Sequence, residues 1–373
     1  MKNLYTLVAI LSLSIGLAQE NKSGNLNTTA SIPVGYYNTA TGTGYTLKTQ
    51  LYNIIKNHND QGYAGLYVTY QNSDRDYYYE NDGTVLDMYS ENPTAADPYN
   101  FSSGSTQRCG NYSSEGDCYN REHIIPQSIF NSDTPMVSDA HFITPTDGKV
   151  NGWRSNNPHG MVGTASITTQ NGSKLGSGSN TGYAVGYSST VFEPINEFKG
   201  DIARMYFYFA TRYENVITSW GNSYEMFDNT SNHVFTNTFL EILKQWNILD
   251  PVNQREIDRN NAIYARQNNR NPYIDHPEWV ATVWGPALYN ETFIALENAS
   301  VFPNPSNDHK INIDSNIIVD DIQLININGQ LMMEVKKPVF NNNSYTLENL
   351  PQGFYFLKLS SDNQSVTKKV IIN

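Results

Sequence analysis

Residues 120 to 160 hold the side chains best suited to hydrolysing a phosphate ester. Glu122 and His123 place a carboxylate beside an imidazole, and Asn151 adds an amide further along. Phosphodiester hydrolysis requires an activated water, neutralised charge on the phosphate oxygens and support for the leaving oxygen. A neutral histidine suits the first task, because its unperturbed pKa of about 6.5 lies near working pH. A hard cation held by carboxylate and amide oxygens suits the other two.

The segments around these residues predict how they are brought together. EHIIP begins a short apolar run, HFITPTDGKV is typical of a second short strand, and NGWRSNN supplies Asn151 where a helix can begin. A strand pair followed by a helix brings His123 and Asn151 close to each other. The sequence therefore predicts a compact ββα unit.

At these residues the chain resembles the endonuclease I family, within the ββα-metal or His-Me finger nucleases. The matching segments are CGNYSSEGDCYNREHIIPQSIF, SDAHFITPTDGKVNGWRSNNPHG, FKGDIARMYFYFATRY and QNNRNPYIDHPEWV. The resemblance implies an endonuclease that cleaves DNA, and RNA as well, leaving 5′-phosphate and 3′-hydroxyl ends. It assigns the general base to His123 and the metal ligands to Glu122 and Asn151. The expected ion is Mg²⁺, or another divalent cation such as Mn²⁺ or Ca²⁺.

The family also uses an arginine to steady the phosphate or the leaving group. Arg154 is the first candidate for this catalytic role and Arg121 the second. Arg121 and Lys149 are further predicted to bind substrate. Lys149 and Arg204 need no such role, because exposed or ion-paired cations are common.

The sequence around two other histidines predicts a structural role and not a catalytic one. His141 lies in an apolar strand pattern, which is typical of a hydrogen-bonded core residue. His159, between Pro158 and Gly160, is more simply a loop histidine. Asn151 taken alone would be a turn residue or a helix cap.

The overall charge argues against tight electrostatic binding of nucleic acid. The chain has 24 basic and 36 acidic residues and a formal net charge of −12. Phosphate contacts normally come from a basic face. A nuclease with this composition must depend on a few localised cations and a metal. The acidity also has a simpler explanation, the solubility of an exported protein.

The N-terminus predicts export. Residues 1–18 open with a lysine, continue through an apolar run and end in small residues, as secretory signal peptides do. Residues 19–34 are polar and predict a flexible leader. The apolar run is shorter than the roughly 20 residues of a spanning helix, so no transmembrane segment is expected. In an oxidising compartment the two cysteines, Cys109 and Cys118, predict a disulfide that fixes the approach to the catalytic segment.

Helical spacing of apolar residues predicts helices over 47–58, 198–217, 235–249 and 252–270. The last helix carries an arginine stripe (Arg255, Arg259, Arg266 and Arg270), which favours solvated or acid-paired side chains over phosphate contacts. Short strands are predicted over 65–70 and 84–90.

From about residue 296 to 373 the pattern changes to short alternating strands around Asn328-Gly329, a strong hairpin signal. This predicts a small all-β sandwich. The segments PNPS, NGQ and LPQGFYFLKL resemble the C-terminal sorting domain of proteins exported by the type IX machinery. That resemblance implies secretion or display at the cell surface.

The fold prediction is α+β: a ββα-metal core with surrounding helices over residues 35–295, followed by the β-sandwich. Two other functions stay open on the sequence alone. One is a surface adhesion or binding protein with an inactive nuclease domain. The other is a phosphodiesterase that acts on other phosphate esters. Metal preference, DNA or RNA preference and oligomeric state are not predicted.

Overall fold

The computed structural model describes residues 32–220, 224–286, 296, 299–361 and 364–373. The predicted signal peptide, 1–18, and most of the predicted leader, 19–34, lie outside the described residues. Within the described ranges, no helix combines the length and apolar character that crossing a membrane requires.

The first part of the chain mixes helices with short strands. The helices are α1 (Gly44–Ile55), α2 (Gly62–Ser73), α3 (Gly148–Arg154), α4 (Lys199–Arg212), α5 (Asn237–Leu249), α6 (Gln254–Gln267), α7 (Pro272–Asp275) and α8 (Trp279–Trp284). The strands are β1 (Tyr119–His123), β2 (Ile143–Asp147), β3 (Val162–Thr168), β4 (Lys174–Gly178) and β5 (Thr190–Glu193). β1 and β2 form an antiparallel pair, and β3, β4 and β5 form a second sheet in that order.

Helix α4 is the centre of this part of the fold. All of its residues are buried, and it packs against α5 and α1. The helices predicted over 47–58, 198–217, 235–249 and 252–270 are confirmed as α1, α4, α5 and α6, although α4 ends at Arg212. Asn253 and Glu256 form a capping box at the start of α6, which satisfies two backbone N–H groups there.

Two strand predictions are wrong. Residues 65–70 lie inside α2, where Leu66, Thr69, Tyr70 and Ser73 face the core at helical spacing. Within 84–90 only Val85 makes isolated bridges, and the backbone then turns at Asp87. The aromatic and β-branched residues that suggested strands are instead buried by helix packing and by a turn.

The C-terminal part is all β, as predicted. It contains β6 (Ser300–Phe302), β7 (Ile311–Asp314), β8 (Asp321–Asn326), β9 (Leu331–Lys336), β10 (Ser344–Leu347), β11 (Gly353–Ser361) and β12 (Gln364–Ile372). Two antiparallel sheets, β10-β7-β6 and β12-β11-β8-β9, enclose a hydrophobic cluster that is separate from the main core. The Asn328-Gly329 turn joins β8 to β9.

Candidate active site

The strands β1 and β2 and the helix α3 form one continuous ββα unit. The two strands pair over residues 119–123 and 143–147, and α3 follows β2 without a loop. Asp147 caps the helix, because its Oδ1 accepts the backbone N–H of Val150 at 2.8 Å. The predicted unit is confirmed. Its helix begins at Gly148 and not at Asn151, which lies one turn inside.

A polar cleft of about 340 Å³ opens beside this unit. Five of the residues predicted for the site line this cleft: Arg121, Glu122, His123, Asn151 and Arg154. Lys149 is not among its lining residues. Two other lining residues, Tyr63 and Asn120, were not singled out from the sequence. The fold therefore gathers most of the predicted set at one surface depression.

Glu122 is buried and firmly held. Its Oε1 accepts hydrogen bonds from the Tyr89 hydroxyl at 3.0 Å and from Arg154 Nη1 at 2.9 Å. Burial raises the pKa of Glu122 to about 7, although the Arg154 charge opposes this shift. Because both bonds fall on Oε1, Oε2 is left for another partner.

Asn151 is oriented by its neighbour on β1. Its Nδ2 donates to Asn120 Oδ1 at 2.7 Å, so its amide oxygen is left to accept. A carboxylate oxygen and an amide oxygen in one polar cleft are the donor types that Mg²⁺, Mn²⁺ and Ca²⁺ prefer. The residues present therefore fit a divalent cation held by Glu122 and Asn151.

His123 ends β1 and is 5% exposed. Burial lowers its pKa to about 4, so the ring is neutral at pH 7. Its Nε2 lies 3.3 Å from the Val137 carbonyl oxygen. A carbonyl can only accept, so this contact favours a proton on Nε2 and leaves the lone pair on Nδ1. A neutral imidazole with a lone pair on one ring nitrogen has what a general base requires.

Arg154 is almost completely buried. It donates from Nη1 to Glu122 at 2.9 Å and to the His123 carbonyl at 2.7 Å, and from Nη2 to the Ile124 carbonyl at 2.6 Å. Its Nε donates to the Asn157 carbonyl at 3.0 Å. All three guanidinium nitrogens therefore have protein partners. In this arrangement the guanidinium holds Glu122 and the end of β1 in position.

Arg121 has a different environment. Its guanidinium lies 3.5 Å from the ring centroid of Tyr63 and 4.5 Å from that of Tyr67. Tyr63 is 38% exposed, so this cation and ring lie at the open side of the cleft. Lys149 lies on α3 with its ammonium 5.4 Å from the Trp153 ring centroid. Tyr63 comes from α2, and no local pattern in the sequence connects it with residue 121.

His159 lies in the connection between α3 and β3, as the loop interpretation predicted, and its backbone forms an isolated bridge with Phe192. The ring is completely buried, and its nitrogens lie 2.9 Å from the hydroxyls of Tyr89 and Tyr206. Burial, together with the nearby Arg154 charge, holds the pKa of His159 well below its usual value. This histidine links the tyrosine that contacts Glu122 to the core helix α4.

The structural interpretations of His141, of Arg204 and of three arginines in the stripe are confirmed. His141 is buried, with Nε2 lying 2.9 Å from the Asn269 carbonyl. Arg204 forms a two-pronged pair with Glu256, each bond 2.7 Å long. Three arginines of the stripe pair with acidic side chains: Arg255 with Asp201, Arg259 with Asp74 and Arg270 with Asp275. Arg266 donates to the Thr69 hydroxyl.

The predicted disulfide between Cys109 and Cys118 is present, with the two Cα atoms 5.3 Å apart. Its loop packs onto α3, where Tyr112 lies so close to Gly148 and Gly152 that a Cβ on either glycine would collide with the ring. The disulfide loop therefore supports the helix that carries Asn151.

Comparison with known proteins agrees with this architecture. The family profile described as "Endonuclease I" matches residues 43–278, and that described as "Secretion system C-terminal sorting domain" matches residues 300–373. An "Extracellular ribonuclease" of Bacillus amyloliquefaciens is 32% identical over 292 residues, covering 76% of this chain and 89% of that protein. A protein of the same description from Bacillus subtilis (strain 168) is 34% identical over 256 residues, covering 67% and 78%.

The matched residues contain the whole ββα unit and its cleft, and the sorting domain coincides with the all-β C-terminal part. Sorting domains of this kind belong to proteins that leave the cell, so the protein is secreted or displayed at the cell surface. The chain belongs to the endonuclease I family and is a nuclease, a hydrolase of phosphodiester bonds.

Proposed function

We propose that this secreted nuclease is an endonuclease that cleaves DNA and RNA with little sequence preference, leaving 5′-phosphate and 3′-hydroxyl ends. The observation that carries the proposal is the meeting of Glu122, His123 and Asn151 in one polar cleft. The two extracellular ribonucleases among its relatives support RNA as a substrate. Export by secretion machinery through residues 300–373 completes the proposal.

His123 acts as the general base. Its neutral ring takes a proton from the attacking water at Nδ1, while Nε2 stays bonded to the Val137 carbonyl. The neutral state at pH 7 follows from burial, which lowers the pKa of His123 to about 4. Positioned general bases of this kind contribute roughly 10²- to 10⁴-fold to a rate.

Glu122 and Asn151 hold one divalent cation, for which we propose Mg²⁺. When bound, the cation neutralises charge on the phosphate and supports the leaving oxygen. Tyr89 and Arg154 fix the Glu122 carboxylate, and Asn120 fixes the Asn151 amide. We assign Arg154 a positioning role, because each of its nitrogens already has a protein partner.

Substrate contacts then fall to Arg121, stacked on Tyr63 at the open side of the cleft, and to Lys149 on α3. Six other arginines (Arg154, Arg204, Arg212, Arg255, Arg259 and Arg270) are buried. Few cations are therefore available to phosphate, which agrees with the net charge of −12. The enzyme is expected to bind nucleic acid weakly and to release its products readily.

The test is a plasmid and RNA degradation assay with purified protein. His123→Ala should lose roughly 10²- to 10⁴-fold in rate with an unchanged circular dichroism spectrum. His309→Ala, in the C-terminal β region, is the matched control and should keep full activity. EDTA should stop cleavage, and Mg²⁺ should restore it. An active, folded His123→Ala protein, or cleavage indifferent to EDTA, would refute the assignment.

The product ends are tested separately. Polynucleotide kinase should label the fragments only after phosphatase treatment if they carry 5′-phosphate. Labelling without phosphatase would show 5′-hydroxyl ends, which means that the bond between phosphorus and the 5′ oxygen had been broken instead of the bond to the 3′ oxygen.

A further inference from the structure

A second group of oxygen ligands lies outside the cleft. Asp76, which follows α2, Glu80 and Glu91 each offer one carboxylate oxygen, and these oxygens lie within 4.8 Å of one another. We call these three residues the acidic cluster. None of them lines the cleft that holds Glu122 and Asn151. The proposed catalysis does not use them.

Glu91 is the member whose environment requires an explanation. It is 1% exposed, and its Oε1 has no hydrogen-bond partner among the described residues. The charged groups that act on it most strongly, Asp97, Asp76, Glu80 and Asp87, are all acidic. Burying a carboxylate without a hydrogen bond or a positive partner is costly. A proton on Glu91 would remove its charge, but Oε1 would still lack a partner. A bound cation satisfies both needs.

Asp76 has the capacity to serve the same ion. Its carboxylate accepts backbone N–H groups from Tyr78, Tyr79 and Asn81, at 3.0, 3.0 and 2.9 Å. A carboxylate has about four lone-pair positions, so one remains after these three bonds. The bonds also fix the Asp76 carboxylate in place, so less side-chain entropy is lost when it binds an ion. Glu80 is exposed and completes the cluster from the solvent side.

We propose that the acidic cluster binds one Ca²⁺ ion. Calcium takes oxygen ligands at about 2.3–2.6 Å, and the 4.8 Å limit on the spacing of these oxygens fits one ion placed between them. Mg²⁺ demands a tighter octahedral shell at about 2.0–2.1 Å and usually keeps several waters, so a set of three protein carboxylates favours the larger ion. The protein acts outside the cell, where sites of moderate affinity, with Kd roughly 0.1–1 mM, are typical of calcium-binding modules.

The ion would join two segments that support the active site. Glu91 closes a turn that begins at Asp87, and the Asp87 Oδ2 accepts the backbone N–H of Asp147 at 2.8 Å. Asp147 is the cap of α3, the helix that carries Asn151. Calcium at the acidic cluster would therefore stabilise the fold next to the cleft without taking part in the reaction.

Calorimetric titration of Ca²⁺ into the full-length protein tests the site. Asn151→Ala serves as the background, because it removes the amide ligand proposed for the catalytic ion. In this background one Ca²⁺ should still bind and should raise the melting temperature. Adding Glu80→Gln should weaken binding at least ~10-fold. Glu80 is exposed, so this change should not disturb folding. Asn151→Ala/Glu348→Gln, altered at an exposed acid of the C-terminal part, is the control and should bind as the background does.

Three results would overturn the proposal: no Ca²⁺ binding at millimolar concentration in the background, equal binding by the Glu80→Gln variant, or equal affinity for Mg²⁺. These outcomes do not depend on the catalytic assignment. If Asn151 is not a metal ligand, wild type and Asn151→Ala will titrate alike, and the effect of Glu80→Gln will remain.

Discussion

Replacing Arg154 tests whether this arginine positions Glu122 or contacts phosphate directly. The guanidinium bridges α3 to the end of β1 through Glu122 and the carbonyls of His123 and Ile124. Arg154→Ala removes all of these bonds and leaves the Glu122 carboxylate buried without its cation. Arg154→Lys keeps the charge but cannot reproduce the planar fork.

The magnitude follows from burial. Arg154 and Glu122 have side chains that are 1% and 2% exposed, so the pair is a fully buried ion pair. Removing one partner of such a pair costs about 3–5 kcal/mol. We therefore expect Arg154→Ala to lose about this much free energy of unfolding, and Arg154→Lys to lose less. Loss of a group that orients a metal ligand should also weaken Mg²⁺ binding about 10- to 100-fold.

The assay combines urea unfolding with cleavage rates measured over a range of Mg²⁺ concentrations. In a positioning role, saturating Mg²⁺ should restore much of the activity of Arg154→Lys. Arg121→Ala is the matched control: its stability should change by no more than about 1 kcal/mol, and its KM for nucleic acid should rise. If Arg154→Lys has wild-type stability and Mg²⁺ affinity but a much lower kcat, the positioning role is wrong and direct phosphate contact is favoured.

Three further predictions concern stability and domain organisation. Although burial opposes it, electrostatic interactions with the His58, His141 and Arg212 side chains and a hydrogen bond from Gln267 hold the pKa of Asp139 at about 2. Because this pKa is depressed, Asp139 should contribute about 2 kcal/mol of stability above pH 4, and this contribution should be lost as pH falls to 2. Urea unfolding measured against pH should show the loss, which should be absent in Asp139→Asn. Replacing both Cys109 and Cys118 with serine should cost about 2–3 kcal/mol and lower the melting temperature, and an unchanged melting temperature would contradict a supporting role for the loop. Deleting residues 300–373, which have their own hydrophobic cluster, should leave nuclease activity intact in the purified protein while abolishing export; an inactive but folded truncated protein would contradict this separation.

Several features were predictable from the sequence because their signals are local. The ββα unit follows from two short strands and a helix start within a single stretch of chain, and the disulfide follows from two cysteines nine positions apart. The β-hairpin at Asn328-Gly329 follows from a turn whose residues favour positive φ. The four long helices follow from apolar spacing that their own side chains display. In each case the decisive interactions join residues close in sequence.

Other features were decided only by the tertiary structure, because they depend on which distant groups become buried together. Residues 65–70 have strand-like composition, yet they form part of α2, since one helical face is buried against the core. Nothing near Arg154 in the sequence reveals that its guanidinium is enclosed by β1, whereas Arg121 lies against Tyr63 of α2. An arginine has the same local preferences whether it faces solvent or an internal carboxylate. The burial on which the proposed positioning role of Arg154 rests arises only when the chain has folded. The same holds for the burial of Glu91 Oε1, which has no hydrogen-bond partner among the described residues.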